Sequence, residues 1–445
     1  MNRREFLAAA AGAAVALRTG TAFARAQPRV VVVGAGLAGL VCARDLVHAG
    51  ADVQLFEARK VVGGRVRTIR GAFEDGQYAE AGGEFVAASD AAMRDEVHRL
   101  GLRLEATAPR VEVDFVDGRR TKLASASALR DVARFWARID LLSRHPRPSL
   151  DRRSAASLIA QLSLSPAARF LVEHDLRRTF AVEPSQLSLL FLARTPRRGG
   201  RALRIHGGND QLPAGLADAI GHRLSLDAGV SKIEWSADGV TVHAGGSRVQ
   251  ADACVLTAPI PTLADVDFRP KLPGALAAAV EHLQYGSAVK TLLQYERRFW
   301  RVRGGTVSIE TGLPFQSAYE ATDRQPGVRG ILTTFTAGSA GELYGKVGKR
   351  ARVLLAADEI DDAYPGSRAL YEHGSTSAWQ TEESSGGAWV AYAPGQVTRY
   401  WDVMRRPVGR IFLAGEHADL LSGTMEGAVR SGRRAATAVA AKVLR

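Results

Sequence analysis

Two periods of apolar residues alternate along this chain, and the places where one gives way to the other mark its elements. Arg29-Val30-Val31-Val32-Val33 is an unbroken β-branched run, the pattern of a strand covered on both faces. It passes straight into Gly34-Ala35-Gly36-Leu37-Ala38-Gly39, after which Val41, Leu46 and Val47 recur at helical spacing until Gly50 closes the helix. Asp52-Val53-Gln54-Leu55-Phe56-Glu57 predicts a second strand ending on an acid. Strand, glycine turn, helix, strand and acid together fill about thirty residues, the context in which a GxGxxG carries weight. Gly34 permits the tight turn, Gly36 lets backbone approach a pyrophosphate, and Gly39 lets the helix lie close on the strand. The helix N-terminus offers free N–H groups and a positive dipole to phosphates, and Glu57 stands where a carboxylate accepts from ribose hydroxyls.

Further along, Val230-Ser231-Lys232-Ile233 and Val289 to Tyr295 read as strands, and Val113-Asp114-Phe115-Val116-Asp117-Gly118 carries a hairpin signal. A long helix is expected from near Met425 through Val429, Ala435 and Val439. The N-terminus is different in kind. Asn2-Arg3-Arg4-Glu5-Phe6-Leu7 leads into the apolar run Ala8 to Leu17, and Ala24-Arg25-Ala26 forms an A-x-A cleavage site. This resembles a twin-arginine export signal over residues 1–26, so an exported, periplasmic or secreted protein is expected, with the twin-arginine machinery as a partner. The run is too short to span a bilayer, and no later stretch reaches about 18 apolar residues, so no transmembrane segment and a soluble mature chain are expected.

Composition narrows the chemistry. At 445 residues, 46% hydrophobic and 24% charged, the chain is an ordinary globular protein, which excludes a disordered or disulfide-stapled one. Its net charge is +13, but only 8 of 59 basic residues are lysine and the arginines are spread throughout. Even the densest stretch, Arg144 to Arg204, carries no recognised nucleic-acid motif, so it reads as a solvated basic face, with no nucleic-acid partner. Cys42 and Cys254 are the only cysteines, CxxC is absent, and the ten histidines form no HxH or HxxxH, so no metal site is expected. Ser287-Ala288-Val289-Lys290 matches Ser-x-x-Lys, but on a strand residues i and i+3 point to opposite faces, and the serine nucleophile fails.

Beyond Glu57 the chain continues Ala58-Arg59-Lys60-Val61-Val62-Gly63-Gly64-Arg65, a glycine pair that would bring a guanidinium to the pyrophosphate. Here the sequence resembles the flavin-containing amine oxidase family, which includes monoamine, polyamine and L-amino-acid oxidases. A second matching pair, Gly82-Gly83, follows. The resemblance continues through Arg204 to Leu212, Val230, Ala253 to Pro259, Phe412-Leu413-Ala414-Gly415-Glu416-His417, and Ser422-Gly423-Thr424-Met425-Glu426-Gly427-Ala428. It implies an α/β chain: a discontinuous Rossmann-type FAD-binding domain (27–95, 202–262 and 396–445), a helix-rich insert (96–201) and a mixed-sheet substrate domain (263–395). FAD contacts are expected from Gly34, Ala35, Gly36, Ala38, Gly39, Glu57, Ala58, Arg59, Gly64 and Arg65. Gly82, Gly83, Glu84, Phe85, Val230, Gly415, Glu416, Thr424 and Met425 are expected to complete the set.

On pattern alone Lys290 is an exposed strand lysine, although it shares a strand face with Ala288 and Leu292 and so would point into an apolar interior. The stretch Tyr285 to Trp300 resembles the family segment whose lysine holds a water against the flavin N5, which implies a catalytic Lys290. A buried ammonium is costly and should be paired or deprotonated. The family's two cage aromatics correspond to Trp389 and Thr424, so one ring is kept and a smaller residue opens the pocket. Ala388 stands where animal monoamine oxidases carry the flavin-linking cysteine, which implies non-covalent FAD. The implied reaction oxidises a small amine to an imine, which water hydrolyses, with electrons passing to O2 or another acceptor. The alternative is an L-amino-acid oxidase; some of these place an arginine where Gly83-Glu84-Phe85 stands, and Arg194 in the insert is the replacement that would serve. A desaturase or porphyrinogen-type oxidase is a further class, opposed by Lys290 and Trp389, and a non-catalytic flavoprotein is another, which anaerobic bleaching of the flavin by any amine would exclude.

Overall fold

The computed structural model describes residues 27–444 except 117, 303 and 304; the expected export signal, residues 1–26, lies outside the described residues. Five parallel strands form the first sheet, in the order Leu224–Ser225, Asp52–Phe56, Arg29–Val33, Ala253–Leu256, Ile411–Leu413. Its central strand explains the valine run. Val30 and Val32 pack among the helices on one face, whereas Val31 and Val33 face the core shared with the insert. All four are buried, each contributing about 1.5–3 kcal/mol through apolar burial. The helix Leu37–His48 and the C-terminal helix Met425–Val443 cover the first face. They approach closely at Gly432, where a Cβ would lie 2.4 Å from the Ala38 carbonyl oxygen.

A four-stranded sheet (Ser247–Ala251, Val240–Ala244, Val230–Trp235, Asp267–Arg269) packs on the opposite side of the core. The third large layer is an eight-stranded mixed sheet. Tyr371–Ala378, Ala288–Tyr295, Gly330–Ala337, Ser317–Glu320 and Gly305–Thr311 run side by side, and Arg301–Val302 pairs with the last of these. The strand Ala288–Tyr295 is buried along its whole length, because it has a strand on each side and is covered on both faces.

The segment 96–201 is not purely helical. After Leu104–Ala106, the strand Arg110–Val116 joins the substrate sheet parallel to Gly305–Thr311, and Arg119–Thr121 pairs beside it. Val111, Val113 and Phe115 alternate with Glu112 and Asp114, so the period is two, and only Phe115 of the three reaches full burial. Helices Ala126–Arg144, Ala155–Leu162, Pro166–Phe180 and Leu189–Arg194 follow, the last of them ending on Arg194. Among the described residues no helix is long and apolar enough to cross a membrane, and no three metal-ligating side chains converge.

Candidate active site

The nucleotide end of the site is built from backbone. Gly34 lies at φ +103°, and the Thr257 hydroxyl donates to the Val33 and Gly34 carbonyls at 2.8 and 2.9 Å, pinning the turn. A Cβ on Gly39 would sit 1.9 Å from the Gly34 oxygen, so only glycine lets the helix start there. A Cβ on Gly36, in contrast, would meet nothing within 4 Å: this glycine faces open space. The second glycine turn closes over the first, with Gly63 N–H donating to the Ala35 carbonyl at 2.9 Å and Gly64 at φ +59° against the Gly36 Cα. Glu57 accepts from the Ala35 N–H at 2.8 Å and from Arg59 N–H at 3.0 Å. Arg59 also reaches the Gly64 carbonyl, yet its Nη2 is buried with no partner. Ala58 is exposed beside Gly229, and half-buried Val230 begins the strand that follows.

Arg65 extends from this turn to the Ala388 carbonyl (2.6 Å) and Glu416 (3.0 Å). Glu416 also accepts the Val390 and Gly423 N–H groups, at 3.3 and 2.8 Å. His417 packs against Gly415, whose φ of +132° no side chain would favour, and its Nδ1 lies 3.3 Å from the Tyr285 hydroxyl. Burial, and then the positive charges of Arg65 and Arg434, push the His417 pKa down to about 3, so this imidazole is neutral, and its Nε2 is buried without a partner. An open glycine turn at a helix N-terminus, an arginine beside it and two orphaned buried nitrogens fit the FAD that the resemblance implies. Cys42 and Cys254 are fully buried in the Rossmann layer, where desolvation raises both thiols, Cys254 up to about 12. With alanine at 388, FAD is held non-covalently.

Lys290 does not enter an apolar interior. Its ammonium donates to Glu84 Oε2 at 2.6 Å and to the carbonyls of Gly82 and Glu80 at 2.9 and 3.3 Å. Glu84 in turn accepts the Tyr319 hydroxyl at 2.5 Å and Arg204 Nε and Nη2 at 3.0 and 2.7 Å. Burial alone would raise the Glu84 carboxyl, but Lys290 and Arg204 outweigh it and hold the pKa at about 2. Glu80 has only neutral donors, the Thr68 hydroxyl and the Asn209 N–H, so burial pushes it up to about 7, with the Glu84 charge adding to the rise. The Phe85 ring lies between the Tyr319 ring and the Arg204 guanidinium, at 5.7 and 5.0 Å. The Glu84 and Phe85 side chains therefore serve this network.

Strand register places Phe335, Ser317 and Glu310 on the same sheet face as Lys290. Trp389 stacks on Phe335 at 6.5 Å with ring planes 12° apart, donates its indole N–H to the Thr179 carbonyl at 3.1 Å, and presses on Gly423. At the far end of the row, Glu310 meets His174, which lies on the same helix as Thr179. Thr424 does not line the pocket with a free hydroxyl. It caps the C-terminal helix, accepting from Gly427 N–H at 2.9 Å and donating to the Leu421 carbonyl at 2.5 Å. Met425 packs its sulfur toward Gly83. Sequence reasoning missed Glu80, Tyr319 and Phe335, and it quoted Arg204, Tyr285 and His417 only as parts of longer segments. The four-residue spacing of Glu80 and Glu84 around the glycine pair was the one local signal.

Comparison with known proteins places this geometry. Among solved structures, cyclohexylamine oxidase from Brevibacterium oxydans IH-35A superposes with TM-score 0.85 at 24% identity, covering 94% of this chain and 100% of its own. Putrescine oxidase bound to putrescine gives TM-score 0.85 at 24% identity, over 93% and 99%. Flavin-containing amine oxidase A of Bos taurus is 28% identical over 92% of this chain and 84% of its own. A Mycobacterium tuberculosis protein named as a flavin-containing monoamine oxidase, AofH, is 30% identical over 93% and 96%. The family model described as flavin containing amine oxidoreductase matches residues 37–440. That match takes in the whole substrate sheet and all of the cradle but its first strand and turn, so the chain belongs to the flavin containing amine oxidoreductases, and its chemistry is the FAD-dependent oxidative deamination of an amine.

Proposed function

We propose that the substrate is an amine without an α-carboxylate, oxidised at its C–N bond. The observation that carries this reading is the commitment of Glu84 to Lys290, Arg204 and Tyr319. A substrate carboxylate at this place would approach a buried anion, and the two cations there already have their partners. FAD, when bound, supplies a two-electron acceptor for the C–N bond and a donor to dioxygen, which becomes hydrogen peroxide. The chain supplies position and charge. Trp389 and Phe335 form a flat apolar wall that orients an unprotonated amine, and Lys290 holds a positive charge beside Gly82 and Gly83. Water hydrolyses the resulting imine to a carbonyl compound and ammonia. The paired Arg3-Arg4 and the Ala24-Arg25-Ala26 site support export by the twin-arginine route to the periplasm or beyond.

The test is anaerobic mixing of the FAD-loaded protein with amines and their parent amino acids, for example putrescine against ornithine and phenethylamine against phenylalanine. Amines should bleach the flavin absorbance and the amino acids leave it unchanged. Bleaching by amino acids in preference to their amines overturns the proposal in favour of the L-amino-acid oxidase reading.

A further inference from the structure

We propose that Glu84 is a positioning residue for Lys290, and that the two form one functional unit. The ammonium has three protons and three acceptors: Glu84 Oε2 at 2.6 Å and the carbonyls of Gly82 and Glu80 at 2.9 and 3.3 Å. Lysine is a flexible chain ending in a point charge, and only this full set of acceptors fixes where the charge sits. Two of the three acceptors are backbone, held by the fold of the glycine pair. The third is a side chain that must itself be held. Arg204 does so through two nitrogens on Glu84 Oε1, and the Tyr319 hydroxyl shares Oε2 with the ammonium. Arg204 is anchored in turn by Asp323 and by the Ala321 and Glu320 carbonyls. The carboxylate, ammonium and guanidinium are all buried, with side chains at most 11% exposed, so neither solvent nor salt replaces a lost partner.

This arrangement makes two demands that an ordinary structural ion pair would not. Removing the carboxylate charge must disturb the site through Lys290, and the disturbance must vanish when Lys290 is already gone. Glu84→Gln keeps the shape and an acceptor for Tyr319 but removes the counter-charge. A buried ammonium without that counter-charge loses its fixed place or its proton, and in either case the charge beside Gly82 and Gly83 is no longer held there. Glu84→Asp keeps the charge one methylene away.

The experiment uses FAD-loaded wild type, Glu84→Gln, Glu84→Asp, Lys290→Met and the Glu84→Gln/Lys290→Met double variant. The oxidised flavin absorption spectrum is recorded for each, and each dithionite-reduced protein is mixed with dioxygen in a stopped flow. Neither measurement needs an amine, so a failed substrate reading leaves this test intact. Glu84→Gln and Lys290→Met should each slow reoxidation about tenfold and displace the flavin spectrum in the same way. The double variant should be no slower than Lys290→Met, and Glu84→Asp should recover part of the rate but not all of it. Losses that multiply in the double variant, or a Glu84→Gln protein with wild-type spectrum and rate, overturn the proposal. Should Glu84→Gln fail to retain FAD, Glu84→Asp decides alone: a wild-type spectrum and rate despite the displaced carboxylate overturn the proposal, and an altered spectrum with slowed reoxidation upholds it.

Discussion

Glu80 and Glu84 are four residues apart, both buried, and their carboxyl groups move in opposite directions from the same starting value. Glu84 faces two cations and titrates near 2; Glu80 faces neutral donors and titrates near 7. The pH dependence of stability follows with opposite signs. Glu84 contributes stability above its unfolded value of 4.5, and that contribution is lost as pH falls toward about 2. Glu80 penalises the folded state progressively as pH rises from 4.5 through about 7. Glu80→Gln, which preserves an acceptor for Thr68 and Asn209, should therefore stabilise the protein at pH 8 by about 1–3 kcal/mol, with the gain shrinking to nothing below pH 5. Thermal melts of both proteins across this range check it; a gain that is constant with pH rules out the ionisation as its cause. Beyond the four-residue spacing of the two carboxylates, none of this was legible locally. The partner of Glu84 lies 206 residues away in sequence, and Lys290 on its own strand pattern looks like a surface residue.

The glycine turn shows the reverse case at the level of elements. Gly34, Gly36 and Gly39 have three different jobs, and the structure separates them by what an added Cβ would meet: the Thr257 hydroxyl, open space, and the Gly34 carbonyl. Gly39→Ala should cost about 3 kcal/mol of stability through forced overpacking and should weaken FAD retention, because the helix N-terminus must shift. Gly36→Ala meets no protein atom, so its melting temperature should stay near wild type while FAD affinity falls. Melting curves of the apoproteins, paired with FAD titrations, distinguish the two. The spacing of these glycines and the β-branched run before them made this element readable. The strand Arg110–Val116 was harder, because its partner Gly305–Thr311 is nearly two hundred residues downstream and its alternation is short.

The whole molecule is assembled from interrupted segments. The FAD sheet takes strands from residues 29 to 413, and the substrate sheet begins at Arg110 before the chain returns to the FAD layer at Leu224–Ser225. Because the cofactor cradle is complete only with the last helix in place, the export proposed above would have to carry the chain already folded if it is to leave loaded with FAD. Replacing Arg3 and Arg4 with lysine should leave the FAD-loaded protein in the cytoplasm, as cell fractionation would report; unchanged export sinks the twin-arginine reading.

Local chemistry is what the sequence determined by itself. The turn that accepts a pyrophosphate, the strand and helix around it, the glycine pairs, and the alanine at 388 are all contiguous patterns, each set by backbone sterics within a few residues. The tertiary structure alone decided which charges meet. It brought Glu84, Lys290, Arg204 and Tyr319 together from four separate strands and loops, engaged the Thr424 hydroxyl as a helix cap, and stacked Trp389 on Phe335. Such contacts depend on sheet register and layer packing, in which a one-residue shift sends a side chain to the other face, and no short-range spacing in the chain records that choice.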